Sequence, residues 1–260
     1  MQTFLPQRSR VADEGSEHQV SDMNVHSLVE AIISDEGRRT RLKTLFGKIG
    51  FETTDWIRVI MYRRCFEFIN RLGPEKLDVL EISAGPQWKR AFKFRSFSET
   101  QYPEFDICAE ALDRQFDLII ADQVFEHLPW PNRAGRNVFK MLRPGGVFLI
   151  ATPFLVRVHN VPIDCSRWTE QGLSYLLQDC GFREQDIQTD SWGNRACLHA
   201  NLKKWRRFGW FRSLANEPNF PLVVWAFASK PVNHPMEAPR DAREVRMSTK
   251  VLTLDETVVD

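Results

Sequence analysis

No run in this chain reaches the ~18 apolar residues that a membrane-crossing helix requires. The longest, GGVFLIATPFLV and FPLVVWAFA, have the length of buried strands. Charge of one sign is also lacking: 35 basic residues stand against 34 acidic ones, a net charge of +1. No overall field therefore draws in nucleic acid or an anionic membrane, and no nucleic-acid partner is expected. The five cysteines, at positions 65, 108, 165, 180 and 197, are odd in number and contain no C-x-x-C pair, which predicts a reducing, cytoplasmic setting. Those cysteines and the six histidines show no ligand spacing, so no metal is expected. The first residues carry Arg8, Arg10, Asp13, Glu14 and Glu17 with no apolar core, so no secretory leader is expected. The G-x-G-x-x-G of nicotinamide-binding folds is missing as well.

What is present is material for a large core. With 260 residues, 43% hydrophobic, eight Trp and nineteen Phe, the natural expectation is one α/β domain with appendages. Residues 1–20 are polar and aperiodic, and 21–73 read as an N-terminal helical cap. In TTDWIRVIMYRRCFEFINRLGP, Thr54 is placed to cap a helix whose apolar positions recur at three and four residue steps until Gly73-Pro74 stops it. This cap is expected to form a lid or a dimer contact. From 74 to 231 short β-type runs alternate with helical ones: DVLEIS (78–83), FKFRSF (92–97), FDLIIAD (116–122) and GVFLIAT (146–152). Such alternation predicts a mostly parallel sheet covered by helices on both faces. PNRAGRNVFKMLRPGG reads as a helix closed by its Pro-Gly-Gly. TEQGLSYLLQDCGF reads as a second, capped by Thr169 and ended by Gly181. EQDIQTDSW and PLVVWAFAS close the sheet, joined by the basic and aromatic NLKKWRRFGWF, and 232–260 read as a tail.

Ligands of open α/β sheets bind at the carboxyl ends of the strands, near the point where strand order reverses. The first strand ends in Glu81-Ile82-Ser83-Ala84-Gly85-Pro86, an acid followed by small residues, with Gly85 free to take a conformation other residues resist. Glu99 falls eighteen positions after Glu81, near the end of the next strand. An acid at that spacing suits the hydroxyls of a ribose. Asp106 follows seven residues later, in FDIC.

Taken with FDLIIADQVFEHL, LRPGGVFLIATPF and RWTEQGLSYLLQDCGF, this pattern resembles the class I S-adenosylmethionine-dependent methyltransferases over residues 77–230. The resemblance implies a Rossmann-like methyltransferase fold with a mostly parallel seven-stranded sheet, and S-adenosylmethionine as cofactor. Glu81 then matches the acid that orients the methionine amino group, and Ser83, Ala84 and Gly85 occupy the glycine-rich loop. Glu99 matches the ribose acid, and Asp106 with Ile107 the pair that holds adenine. Asp122 and Gln123 lie beside the methionine portion and the transferred methyl. Two departures stand out: Ser83 and Gln87 occupy positions where the family carries Gly, and the interval from Glu99 to Asp106 is too short for a helix and a strand.

On the acceptor side, His127 in VFEHLPWP and His159 in RVHNVPIDCSRWT are candidate catalytic bases, against local packing or capping roles. Asn160, Asp164 and Arg167 are candidate substrate contacts, against a solvated crossover in which Asp164 and Arg167 pair. A small polar acceptor such as a sugar or glycan precursor fits this loop. Two alternatives stay open: a methyltransferase-like binding protein without activity, and a nucleotide-dependent oxidoreductase.

Overall fold

The computed structural model describes residues 54–209 and 211–232. The arm expected over 1–20, the cap up to residue 53 and the tail beyond 232 lie outside them. Among the described residues six strands form one sheet: β1 (Asp78–Ile82), β2 (Ser96–Thr100), β3 (Phe116–Asp122), β4 (Leu142–Pro153), β5 (Ile187–Trp192) and β6 (Val223–Ser229), in the order β2-β1-β3-β4-β6-β5. The first four pair in parallel, and β6 lies antiparallel to both β4 and β5. Helices α1 (Val59–Leu72), α2 (Pro86–Ala91), α3 (Pro131–Met141), α4 (Glu170–Asp179) and α5 (Arg195–Asn201) accompany them.

The continuous apolar runs of the central strands follow from burial on both faces. Along β3 and β4 successive residues alternate between two cores: Phe116, Ile119, Ala121, Phe148 and Ile150 pack on the side of α3 and α4, while Leu118, Ile120, Leu149 and Ala151 pack on the side of α1. Period-2 geometry places Glu81 with Val79, and Asp122 with Leu118 and Ile120, on the α1 side. That face is lined by Met61, Cys65 and Ile69 of α1 and by Trp88 of α2, all fully buried. Each large side chain so buried contributes ~1.5–3 kcal/mol.

Four details differ from the sequence expectations. The sheet has six strands among the described residues, not seven, because FDIC forms turns: the Asp106 carboxylate accepts from the Cys108 amide and its carbonyl from those of Ala109 and Glu110. Residues 101–115 thus cross from β2 to β3 with neither helix nor strand. β2 begins at Ser96, not residue 92. Phe92 and Phe94 pack instead in an aromatic row with Phe66 and Phe97, at centroid spacings of 5.2–5.5 Å. The Pro-Gly-Gly after α3 belongs to β4 itself, held where the Gly145 amide donates to the Lys230 carbonyl and the Lys230 amide to that of Gly146. Finally, Thr54 caps nothing. A short 3-10 turn, Trp56–Arg58, leads into α1; the Trp56 amide donates to the Arg206 carbonyl, and just before the turn the Thr54 carbonyl accepts from the Phe208 amide, both from the basic segment after α5.

The stops at Gly73 (φ 74°) and Gly181 (φ 111°) and the Thr169 cap, whose hydroxyl accepts from the Gly172 amide, match the sequence reading. Among the described residues no helix is long and apolar enough to cross a membrane. All five cysteines are free.

Candidate active site

From β1 the chain moves out to β2, then returns past β1 to β3 on its other side. The order reverses there, and in open sheets of this kind ligands bind outside the carboxyl ends of the strands at such a point. Both strands leave the sheet through a left-handed residue that is not glycine, Ser83 (φ 54°) after β1 and Gln123 (φ 58°) after β3. Side chains seldom adopt this conformation, and where they do it is often next to a site. Gly85, by contrast, is extended at φ −110°, so the freedom expected of it is needed at Ser83, one of the positions where the family carries glycine.

Glu81 is buried at the tip of β1. Its Oε1 accepts from the Gly85 amide at 3.0 Å, and its Oε2 has no hydrogen-bond partner. Burial pushes this carboxyl up to about 7, against the pull of the Gly85 amide and with help from Asp122 and Glu99. Glu99 lies beside it in register on β2, exposed and 3.3 Å from the Lys89 ammonium. Ala84, Gly85, Glu99 and Gln101 line a cavity of about 380 Å³ with Pro86, Lys89 and Arg90. The loop and Glu99 therefore meet at this cavity, with Glu81 outside its lining and joined to it through the Gly85 amide. Asp106 and Ile107 are not among the residues lining that cavity; Ile107 is buried in the opposite core.

At the tip of β3, Asp122 Oδ2 accepts from the Tyr62 hydroxyl of α1 at 2.7 Å, while its Oδ1 is buried without a partner. Burial, then the Asp122 charge, raises the Tyr62 phenol, which stays a neutral donor. Arg58 lies behind them; burial opposes its charge, but Asp122 and Tyr62 outweigh that and raise its pKa. Gln123 Nε2 is likewise buried and unpartnered.

The acceptor-side candidates meet across two loops. The His127 and His159 rings are 5.1 Å apart, edge to face, and His159 touches the Trp205 ring at 5.6 Å. Asp164 and Arg167 form a two-pronged pair with each other, and Asp164 also accepts from the His159 amide at 2.9 Å. Arg167 holds the Asp164 carboxyl down to about 2. These two side chains thus orient the loop, whereas Asn160 is exposed. Between the histidines and β3 lies Glu126, fully buried, its carboxyl pushed up to about 8 chiefly by burial.

Sequence reading missed Tyr62, Arg58 and Glu126. Tyr62 interrupts the apolar stripe of α1 with a polar tip, and Glu126 stands beside a histidine already singled out. Either signal was available.

The family described as a methyltransferase domain matches residues 57–201, more than half of the chain. The chain belongs to the class I S-adenosylmethionine-dependent methyltransferases. None of the curated proteins compared matches it. Among solved structures, it is similar to an S-adenosylmethionine-dependent methyltransferase from Mesorhizobium loti at 15% identity, covering 63% of this chain and 96% of that one, TM-score 0.41. It is similar to the glycopeptide N-methyltransferase MtfA, crystallised with S-adenosylhomocysteine, at 16% identity over 73% and 97%, TM-score 0.42. It is also similar to the [4+2]-cyclase SpnF at 14% identity over 65% and 81%, TM-score 0.44.

Proposed function

We propose that this methyltransferase binds S-adenosylmethionine at the carboxyl ends of β1 and β3 and methylates a small polar acceptor of the sugar or glycan-precursor kind. The observation that carries the cofactor assignment is a pair of orphaned acceptors. Glu81 Oε2 and Asp122 Oδ1 are buried without hydrogen-bond partners on the same face of adjacent strands. Buried acids in that state call for a cation. A ligand bearing an ammonium and a sulfonium fits that need, and the cavity beside Glu99 has room for a nucleoside.

When bound, the donor supplies an electrophilic methyl whose bonding pair stays on sulfur. Glu81 would receive the ammonium, Ser83 to Gly85 would form the floor, and Glu99 would exchange Lys89 for the ribose hydroxyls. Tyr62 fixes the Asp122 carboxylate, which with Gln123 would face the methyl. Orientation and exclusion of water are the main contributions of such a site. Asp106 and Ile107 would approach adenine only if the 101–115 connection shifted toward the cavity. The acceptor side is assigned to His127, His159 and Glu126, with Asp164 and Arg167 holding the loop and exposed Asn160 on its rim. Five free cysteines support action in a reducing compartment such as the cytoplasm.

Thermal unfolding of the full chain with S-adenosylmethionine, S-adenosylhomocysteine or NAD tests this reading. A ligand at one hundred times its dissociation constant adds ~2.7 kcal/mol of stability. Both sulfur ligands should raise the melting temperature. A rise with NAD alone, or with none of the three, refutes the assignment.

A further inference from the structure

The turn that follows β3 and the loop that follows β4 are stitched together around a buried carboxyl, Glu126, whose charge Arg58 and Arg167 offset from a distance. Glu126 is fully buried, yet neither of its carboxylate oxygens has a hydrogen-bond partner. Its backbone is firmly held, the carbonyl accepting from the amides of Cys165 and Ser166 at 2.7 and 3.3 Å. A carboxyl buried without a hydrogen-bond partner is ordinarily kept protonated, paired or bound to metal. Two histidines surround it. His127 Nε2 lies 3.6 Å from Glu126 Oε1, and one potential ligand atom each from Glu126, His127 and His159 falls within 4.8 Å of the others.

The His127 tautomer is set by its surroundings. Its Nδ1 bonds the Ile163 carbonyl, which can only accept, so Nδ1 carries the proton and Nε2 presents a lone pair toward Glu126. His159 Nδ1 faces the Asp164–Arg167 pair, with Asp164 Oδ2 at 3.3 Å and Arg167 Nη2 at 3.5 Å, and Arg167 fixes Asp164 in turn. A histidine ring held by a carbonyl or carboxylate behind it is the usual support of a metal ligand.

We propose that Glu126, His127 and His159 bind a divalent transition-metal ion of the zinc, cobalt or nickel class, with its remaining coordination positions open to the methyl acceptor. The spacing separates this from a hydrogen-bonded cluster. At 3.6 Å the His127 to Glu126 contact is too long for a hydrogen bond. Two ligands ~2.1 Å from one tetrahedral ion stand ~3.4 Å apart, close to the His127 to Glu126 spacing, and His159, within 4.8 Å of both, would draw in on binding. Two imidazoles and one carboxylate suit such ions, whereas magnesium and calcium prefer oxygen alone. Three protein ligands leave the open position of a catalytic site. What the ion does, though not that it binds, rests on the methyltransferase reading. An acceptor hydroxyl entering the open position would release its proton to solvent more readily. Its oxygen would then supply the pair for the new O–CH3 bond, while the S–CH3 pair stays on sulfur. On this assignment the two histidines act as ligands in place of general bases.

The test uses the untagged full chain stripped with a chelator and titrated with Co2+, read by visible absorption, and with Zn2+, read by calorimetry. One equivalent should bind with intense cobalt bands of low coordination number. Glu126→Gln and His159→Ala should each weaken binding at least tenfold, with melting curves confirming that both variants fold. Failure of the wild type to bind one equivalent of either ion overturns the proposal, as does equal binding by both folded variants. Cofactor-induced stabilisation of the metal-free chain is measured separately, so failure of the metal site and failure of the methyl-donor site are distinguishable.

Discussion

The two ends of the sheet both carry carboxylates, and they treat them in opposite ways. At the amino end Asp78 accepts from Arg95, Ser96 and Arg143, and Asp117 accepts from the Asp78 amide and Arg95 and pairs with Arg143. Every acid there has partners, foremost Arg95, and the Asp78 carboxyl is held well below its usual range. At the carboxyl end Glu81, Asp122 and Glu126 are more deeply placed and keep oxygens without partners, and the carboxyls of Glu81 and Glu126 are raised. One end is complete within the chain. The other keeps carboxylate oxygens open even with Arg58 close by, and that difference is what marks it as the working end.

The largest expected effect comes from breaking the incomplete end. Glu81→Gln keeps the shape and the Gly85 contact but removes the charge, so S-adenosylmethionine affinity measured by calorimetry should fall ~100-fold, equivalent to about 2.7 kcal/mol. Folding stability at neutral pH should hold or rise, since an ionised buried group has been replaced by a neutral one. An equally large loss of stability would mean that Glu81 serves the fold.

A second expectation concerns pH. Unfolded, Glu81 titrates near its ordinary 4.5; folded, it keeps its proton to about 7. The folded state therefore binds more protons between these values. The contribution is fully present below 4.5 and is lost as pH rises through 7. In denaturant melts of the ligand-free chain from pH 5 to 8, Glu81→Gln should decline less than wild type, by on the order of 2 kcal/mol. A smaller effect belongs to Glu99→Ala. This exposed acid should lose ~10-fold in cofactor affinity with no change in stability, since a surface pair with Lys89 adds little to the fold.

This contrast also explains what was legible in the sequence. Strand alternation, the Gly73 and Gly181 stops and the Thr169 cap are local, and each could be read from neighbours in the chain. Glu81 and Glu99 were legible because parallel register converts their spacing into adjacency. The missing helix between β2 and β3 was legible too, from the short interval between Glu99 and Asp106; the turn that FDIC makes was not, because it depends on the Asp106 side chain accepting from the Cys108 amide. Helix α5, just before the basic, aromatic segment, was hidden because it is short; its start is fixed by Asn194, whose side chain accepts from the Cys197 amide at 2.8 Å. The grouping of Glu126, His127 and His159 spans 33 residues and depends on two loops meeting, which no ligand-spacing rule detects. Asp164 and Arg167 carried substrate-like chemistry in sequence but use it on each other.

The smallest effect should come from the complete end, and its sign sharpens the comparison. Arg95 is solvated, so its pairing with the half-buried Asp78 is screened and Asp78→Asn should lower the melting temperature by only roughly 2–4 °C at pH 7. Cofactor affinity should not change, because Asp78 and Ser83 lie at opposite ends of β1. The pH dependence must run opposite to that of Glu81. The Asp78 carboxyl is depressed by Arg95, Ser96 and Arg143, so its contribution is present above the ordinary carboxylate range and is lost in acid. The difference between wild type and Asp78→Asn should therefore be full above pH 4 and shrink steadily as the pH falls below it, closing only in strong acid where the folded-state carboxyl is itself protonated, whereas wild type and Glu81→Gln diverge between pH 5 and 8. If both variants followed the same pH course, the two ends of the sheet would be electrostatically alike, and the case for a cation at the carboxyl end would fail with them.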